Sequence, residues 1–227
     1  MKSLSLLSIA VGLLGACSTK PPTGPVAGEA YFAQVGCASC HRVGGEGGAV
    51  GPDLTLVGFR HSPEWLETWL KDPSAWKPGT LMPNKPLSPA ARGAIVSYLA
   101  TLKGQDWPQG GRPWDGAGDA AARGRLVYSR AGCVACHGQG GVGGSPNNNV
   151  AGGKIPALAN VAETFTKAEL IAKIKRGVPA PIKADAKGPA PLVWMPPWGE
   201  VLDDAEIDAV ATYLMTLKPA DAGKSDW

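Results

Sequence analysis

The sequence contains the run Cys37-Ala38-Ser39-Cys40-His41 and repeats its form at Cys133-Val134-Ala135-Cys136-His137. Each run is a Cys-x-x-Cys-His motif, the attachment signature of a c-type haem. Two thiols separated by one short turn can add to the two vinyl groups of one porphyrin, and the next residue then brings an imidazole beneath the ring. The motifs predict two covalently bound haem c groups. The predicted attachment residues are Cys37, Cys40, Cys133 and Cys136, and the predicted iron ligands are His41 and His137.

Other uses of cysteine and histidine fit the chain less well. The sequence has five cysteines and three histidines, and only Cys17 and His61 lie outside the motifs. A structural zinc site would need a second Cys or His pair within about 12–20 residues. The two Cys pairs lie more than 90 residues apart. A thioredoxin-like dithiol would need a βαβ setting, and no alternating strand pattern flanks either motif.

The first residues have the features of an export signal. Lys2 precedes an apolar run from Leu4 to Leu14 that is shorter than the about 20 residues of a membrane span. Leu14-Gly15-Ala16-Cys17 resembles the cleavage box of bacterial lipoproteins, which predicts a signal peptide over residues 1–16 and a lipid on Cys17. An ordinary secretory signal with an unused cysteine is the alternative. Under either interpretation the chain is exported. The lipoprotein signal also predicts a lipid anchor on the periplasmic side of an inner or outer bacterial membrane.

Length and charge limit the remaining classes. Removal of residues 1–16 from the 227 leaves 211, which suits two small domains. The net charge is only +3, and no basic domain or recognition motif supports a nucleic-acid partner.

The chain after the signal repeats one pattern twice. Each copy has a helix with an aromatic residue, the Cys-x-x-Cys-His motif, a Gly-rich stretch with a proline, a middle helix, a Met-Pro pair and a closing amphipathic helix. The closing runs Tyr98–Lys103 and Tyr213–Lys218 nearly coincide. We therefore predict a tether at 17–26, a first domain at 27–103, a linker at 104–117, a second domain at 118–218 and a tail at 219–227.

Local signals predict where the helices begin. The first helices are expected at Gly28–Val35 and Gly124–Ala131. Ser62-Pro63 predicts the start of one middle helix, and the capping-box pattern from Thr166 to Glu169 predicts the start of the other. The closing helices are expected to follow Ser88 and Asp203.

Each half resembles a class I cytochrome c domain. In that family the first and last helices cross closely through a glycine and an aromatic of the first and an aromatic of the last. Gly28, Phe32 and Tyr98 match this crossing in one half, and Gly124, Tyr128 and Tyr213 match it in the other. The resemblance implies an all-α fold of two tandem domains, in which short helices wrap around one haem each.

The resemblance also implies further site residues. Met82 and Met195, each in a Met-Pro loop, match the distal iron ligands, and thioether ligation with His raises the potential of haem iron. The alternative is that each methionine fills a gap in the core. Pro52 and Pro156 match the proline whose carbonyl accepts the proximal imidazole N–H, with simple turn formation as the alternative.

Other residues near the expected haem edge have open roles. His61 is expected to be exposed or to cap a helix, with a propionate contact or iron ligation as alternatives. Arg60, Trp65, Trp69 and Trp76 are candidates for propionate contacts, although core packing is the simpler role for each. Basic residues concentrate at 154–187 and acidic ones at 200–208. Such a charge asymmetry can steer a redox partner, although a merely solvated surface is the simpler interpretation.

These features favour an electron carrier over an enzyme. Each half supplies its own His and Met, and the chain has no spare histidine for distal acid–base chemistry. Expected partners are a quinol-oxidising complex, a terminal oxidase or a periplasmic dehydrogenase of a respiratory or photosynthetic chain. The alternative is a dihaem oxidoreductase acting on peroxide or sulfur compounds.

Overall fold

The computed structural model describes residues 21–105, 107 and 111–218. The predicted signal peptide, Cys17 and the tail at 219–227 lie outside the described residues. The all-α fold is confirmed, and sheet in the described part is a two-stranded antiparallel hairpin of β1 (Arg42–Val43) and β2 (Glu46–Gly47) with three isolated bridges. Among the described helices, none is long and apolar enough to cross a membrane.

The first half contains five α-helices. They are α1 (Gly24–Gln34), α2 (Val57–Arg60), α3 (Pro63–Lys71), α4 (Pro73–Trp76) and α5 (Pro89–Leu99). The predicted caps are confirmed, since the Ser62 and Ser88 side chains accept hydrogen bonds from the first turns of α3 and α5. Helix α1 begins four residues before the predicted Gly28, inside the expected tether, because Pro25 suits a first turn.

The second half follows the same order with one change. Its helices are α6 (Ala120–Val127), α7 (Cys133–His137), α8 (Val161–Thr164), α9 (Lys167–Arg176) and α10 (Asp204–Met215). The first helix begins after an Asp119 cap, earlier than expected, and a π-helical turn at Tyr128–Gly132 then leads into α7. The Thr166–Glu169 capping box is confirmed, and Asp203 and Glu206 form a second one.

Glycines allow the terminal helices of each half to touch. A Cβ atom on Gly28 of α1 would lie 2.6 Å from the carbonyl carbon of Ala94 in α5. A Cβ atom on Gly124 of α6 would lie 2.5 Å from the carbonyl carbon of Ala209 in α10. The crossing implied by the sequence resemblance is therefore present in both halves.

Two hydrophobic cores lie beneath these crossings, and the second draws a residue from the first half. The first core includes Phe32, Leu66, Ile95 and Leu99. The second includes Val127, Tyr128, Ile207, Leu214 and also Leu56, which is 1% exposed. Trp114 of the predicted linker is fully buried in the second core and donates to Glu206 at 2.7 Å, so this part of the linker belongs to the packed structure.

Candidate functional site

The first Cys-x-x-Cys-His motif forms a tight turn after α1. Gly36 adopts a left-handed conformation (φ 76°), and Cys37–Ser39 form a single 3₁₀ turn. The Nδ1 atom of His41 lies 2.9 Å from the carbonyl oxygen of Pro52. Because a carbonyl only accepts, Nδ1 carries the hydrogen and the Nε2 lone pair is free for a metal. The position of Pro52 matches the role that the resemblance implied.

Glycine at residue 51 leaves room for the His41 ring. A Cβ atom there would lie 2.6 Å from Nδ1 and 3.0 Å from Nε2 of the imidazole. The backbone N–H of Gly51 donates to the carbonyl of Cys40 at 2.8 Å, which ties the loop to the motif. The ring is thus held between the motif and the loop that bears Pro52.

The motif opens onto a cavity of about 470 Å³, which we call the shared cavity. Cys37, Cys40 and His41 line it together with Met82. The Sδ atom of Met82 accepts a hydrogen bond from the indole N–H of Trp69 at 2.9 Å. The structure therefore brings the predicted attachment residues and both predicted iron ligands of the first half to one space.

Polar atoms without partners also border this cavity. Among the described residues, the buried Nδ1 of His61 and Nε1 of Trp65 have no hydrogen-bond partner, and the two rings stack with centroids 3.7 Å apart. Both residues line the shared cavity, as does the buried Arg60. A haem would bring two propionate carboxylates, which are acceptors for such donors. The residues present fit a haem in the first half.

The expectation that His61 is exposed is wrong. Its side chain is only 6% exposed, because it stacks on Trp65 instead of projecting from the helix start. Burial, and to a lesser degree the charge of Arg60, hold the pKa of His61 well below its ordinary value. The imidazole is therefore neutral at physiological pH.

The second motif repeats the proximal geometry on a short helix. The Nδ1 atom of His137 lies 3.1 Å from the carbonyl oxygen of Pro156, again leaving Nε2 free. The Tyr128 hydroxyl donates to the carbonyl of Gly138 at 2.7 Å and supports the end of α7. Burial raises the pKa of Cys133 to about 12, partly opposed by the charge of Arg60, so the free thiol is protonated. This thiol stands where a thioether link to haem would form.

Met195 is held by the residues that follow α9 and by the second core. Its carbonyl accepts a hydrogen bond from the Val178 N–H at 2.8 Å, and its side chain packs against the second core. The shared cavity is lined by Cys136 and Val193 but not by His137 or Met195. The geometry thus joins His41 and Met82 in one cavity, whereas ligation by Met195 stays a prediction.

The two motifs are connected by a polar cluster that we call the junction, formed by Asp53, Arg60, Arg130 and Gly132. The guanidinium of Arg60 donates to the carbonyls of Asp53 at 2.8 Å and of Gly132, the residue before Cys133, at 3.1 Å. Arg130 forms an ion pair with Asp53 at 3.0 Å. Apart from Arg60, no sequence pattern singles out these residues, because nothing local pairs Asp53 with a residue 77 positions away.

The shared cavity extends across this junction. Besides the first-half residues, its lining includes residues that belong to the second motif, follow it or lead to Met195. These are Ala135, Cys136, Ser145, Pro146, Ile155 and Val193. Part of the second motif therefore faces the same cavity as the first motif.

Comparison with known proteins agrees with this geometry. The sequence model of the Cytochrome c family matches residues 25–103 and 121–218, most of the chain. The chain belongs to the cytochrome c family. Membership implies covalently attached haem c and haem-based electron transfer, and the two matches correspond to two cytochrome c domains.

Two individual proteins are also similar to this chain. This cytochrome is 38% identical over 85 residues to cytochrome c oxidase subunit 2 of Alkalihalophilus pseudofirmus, spanning 34% of this chain and 25% of that protein. The chain thus covers about a quarter of that relative's length. A solved chain of the reducing HAO-like protein complex from Kuenenia stuttgartiensis aligns over 88% of this chain and 100% of its own, at 15% identity and a TM-score of 0.29.

Proposed function

We propose that this cytochrome relays electrons through two covalently attached haems, one in each half, as a carrier or carrier subunit and not as an enzyme. The observation that carries the proposal is the shared cavity, which extends from His41 and Met82 in the first half to Cys136 in the second. Two attachment motifs that reach one cavity suit electron transfer between their haems better than two separate reactions.

The residues of the chain hold and orient the two groups. Haem iron, when bound, supplies the one-electron chemistry. Cys37, Cys40, Cys133 and Cys136 would form the thioether links. His41 would ligate iron in the first half with its Nδ1–H fixed on the Pro52 carbonyl, which makes the ring a better donor. Met82 would complete that site, and His137 and Met195 would do the same in the second half.

The junction sets the spacing and the charge between the sites. Arg60 is 3% exposed and bonds to backbone carbonyls on both sides, so it holds Gly132 and the attached motif close to the first half. Its positive charge is near both sites and is poorly screened, which favours the reduced form of each group. The ion pair of Arg130 with the buried Asp53 adds a second fixed contact.

An exposed patch at the mouth of the cavity suits a redox partner. Leu81 is 90% and Val50 is 76% exposed, although each lines the cavity. Lys77 and Lys85 lie on the same rim and are exposed. An apolar centre with a basic edge fits a partner with an acidic surface. The basic and acidic runs of the second half have less free charge to attract a partner, since Lys167 and Lys175 form ion pairs with Asp208 and Asp204.

The partner classes and the location belong to the same proposal. A terminal oxidase is favoured because the curated relative is an oxidase subunit, and a quinol-oxidising complex or a periplasmic dehydrogenase would supply electrons. Lipid on Cys17 would hold the protein at the periplasmic side of an inner or outer membrane. Replacing Cys17 with serine should release the protein into the soluble fraction.

The haem content and the carrier role can be tested on the mature protein. Acid-acetone should fail to extract the haem, and the intact mass should exceed that of the processed chain by two haems. Carbon monoxide should bind slowly, and neither peroxide nor thiosulfate should be turned over. A single haem would refute the relay, and substrate turnover that depends on Met82 or Met195 would favour the oxidoreductase.

The role of the exposed patch at the mouth of the cavity can be tested by charge reversal. Lys77→Glu with Lys85→Glu should slow electron exchange with an acidic redox partner and weaken its dependence on ionic strength. The matched control is Lys103→Glu, an exposed lysine that does not line the cavity. Equal effects of the control and the double variant would place the docking surface elsewhere.

A further inference from the structure

Three consecutive asparagines bind the chain segment that leads to Met195. The side-chain amide of Asn147 donates to the carbonyl of Val193 at 2.8 Å and accepts from the Val193 N–H at 3.2 Å. Asn148 donates to the carbonyl of Ala190 at 2.8 Å and accepts from the Leu192 N–H at 2.7 Å. Each amide therefore pairs with backbone much as a neighbouring strand would.

Asn149 extends this pairing to the start of the segment. Its amide donates to the carbonyls of Asp185 at 2.9 Å and Pro189 at 2.7 Å, and it accepts from the Asp185 N–H at 2.7 Å. Its backbone carbonyl also accepts from the Ala184 N–H at 2.9 Å. Asn149 is left-handed (φ 51°), a conformation that asparagine tolerates better than most residues. We call Asn147, Asn148 and Asn149 together the asparagine clasp.

The chemistry of the clasp requires the amide group. One short planar group that donates and accepts can serve both the N–H and the C=O of an irregular backbone. Asn147 is 7% exposed and Val193 is 5% exposed. Removal of the amide would therefore leave two backbone groups of Val193 buried without partners, which proteins avoid.

The clasp connects the loop that follows the proximal ligand His137 with the segment that bears Met195. The asparagines follow His137 by ten residues and belong to the loop that returns to Pro156. Val193 precedes Met195 by two residues, and the Met195 carbonyl is bound by the Val178 N–H. Met195 is thus fixed on one side by the clasp and on the other by the end of α9.

The first half holds its methionine differently. The loop from His41 to Pro52 is 8 residues shorter than that from His137 to Pro156. Met82 instead accepts the Trp69 hydrogen bond on its sulfur and donates its N–H to the Thr80 hydroxyl at 3.3 Å. The clasp is therefore specific to the second half.

We propose that the asparagine clasp is a set of positioning residues that keeps Met195 on the iron of the second haem and so closes that iron to external ligands. This inference rests on the proposed function, since it takes Met195 as an iron ligand. The thioether is neutral, so no charge attraction holds it and the backbone must keep it in place. Loss of the clasp would let the Met195 loop open while the proximal His137 contact remains.

The decisive measurement is ligand exchange at the second haem of the holoprotein. Asn147→Leu keeps the size and apolar surroundings of the side chain but removes the paired hydrogen bonds. We expect carbon monoxide to bind the reduced second haem about tenfold faster, equal to about 1.4 kcal/mol in the opening equilibrium. The far-red sulfur-to-iron band of the second haem should weaken, while that of the first haem is retained. Asn160→Leu, at an exposed asparagine of the same half, is the matched control.

If Asn147→Leu does not fold, a milder variant tests the same inference. Asn148 is more exposed, and Asn148→Ala should raise the carbon monoxide rate in the same direction with an unchanged circular dichroism spectrum. Unchanged rates in both Asn147→Leu and Asn148→Ala, or equal effects in Asn160→Leu, would overturn the inference. The ligand assignment is checked separately by Met195→Ala. If that variant leaves the far-red spectrum intact, Met195 is not a ligand, and both this part of the proposed function and the inference fail.

Discussion

Replacing Gly28 with alanine should weaken the crossing of α1 and α5. A Cβ atom at residue 28 would overlap the carbonyl oxygen of Ala94 and lie 2.7 Å from the Cβ of Tyr98, whereas ordinary contacts begin at 3.4 Å. The helices would therefore have to separate by more than about 0.7 Å. Overpacking of this kind costs about 1–3 kcal/mol, and the better helix propensity of alanine offsets about 1 kcal/mol. Because the clash also involves the Ala94 backbone, which cannot rotate away, we expect a net loss of about 2 kcal/mol in the free energy of unfolding.

The same crossing provides a matched control. Gly93 precedes Ala94 in α5, and a Cβ atom there would meet nothing within 4 Å. Gly93→Ala should therefore raise the free energy of unfolding by up to about 1 kcal/mol. The assay is urea unfolding of the holoprotein followed by far-ultraviolet circular dichroism. If Gly28→Ala proves as stable as Gly93→Ala, the close approach of the two backbones is wrong.

Three further changes test the first haem site. Gly51→Ala should displace the His41 ring, since the new Cβ would lie 2.6 Å from Nδ1. Resonance Raman spectra should then show altered ligation at the first haem only. An unaltered spectrum would contradict the close packing of residue 51 against the ring. Trp69→Phe removes the hydrogen bond to the Met82 sulfur, so that sulfur donates more strongly to oxidised iron. The potential of the first haem should then fall by about 20–60 mV in a redox titration, which is equivalent to about 0.5–1.5 kcal/mol. An unchanged or higher potential would argue against the hydrogen bond. The folded-state pKa of His61 is depressed, so the unfolded chain binds the extra proton, and the free energy of unfolding should fall by about 1.4 kcal/mol for each pH unit below about 6. His61→Phe should remove that slope in urea titrations, whereas an NMR pKa for His61 at or above its ordinary value would show that a carboxylate such as a haem propionate outweighs the effect of burial.

The features that are encoded locally were predicted well. Chemistry at fixed spacing identified the two motifs, and short-range caps such as Ser62 and Thr166 gave the helix starts. The resemblance correctly implied that the Pro52 carbonyl would lie within hydrogen-bond distance of the His41 ring.

Features that depend on distant partners were missed. Arg60 and Gly132 are 72 residues apart, and no periodicity connects them. His61 was expected at the surface because only its place before a helix was visible, whereas stacking on Trp65 buries it. The run Asn147–Asn149 indicated only a loop, since its partners at 185–193 have no pattern of their own.

Leu56 has a consequence for how far the two halves can be treated as separate units. It lies in the first half of the sequence repeat but is 1% exposed within the core of the second half. Cutting the chain between the repeats would expose this side chain and leave Arg60 without its Gly132 carbonyl. The boundary between the two sequence repeats is therefore not a boundary between two independently stable units. Heating should give one calorimetric transition for both halves, and an isolated half should be less stable than the same residues in the whole chain.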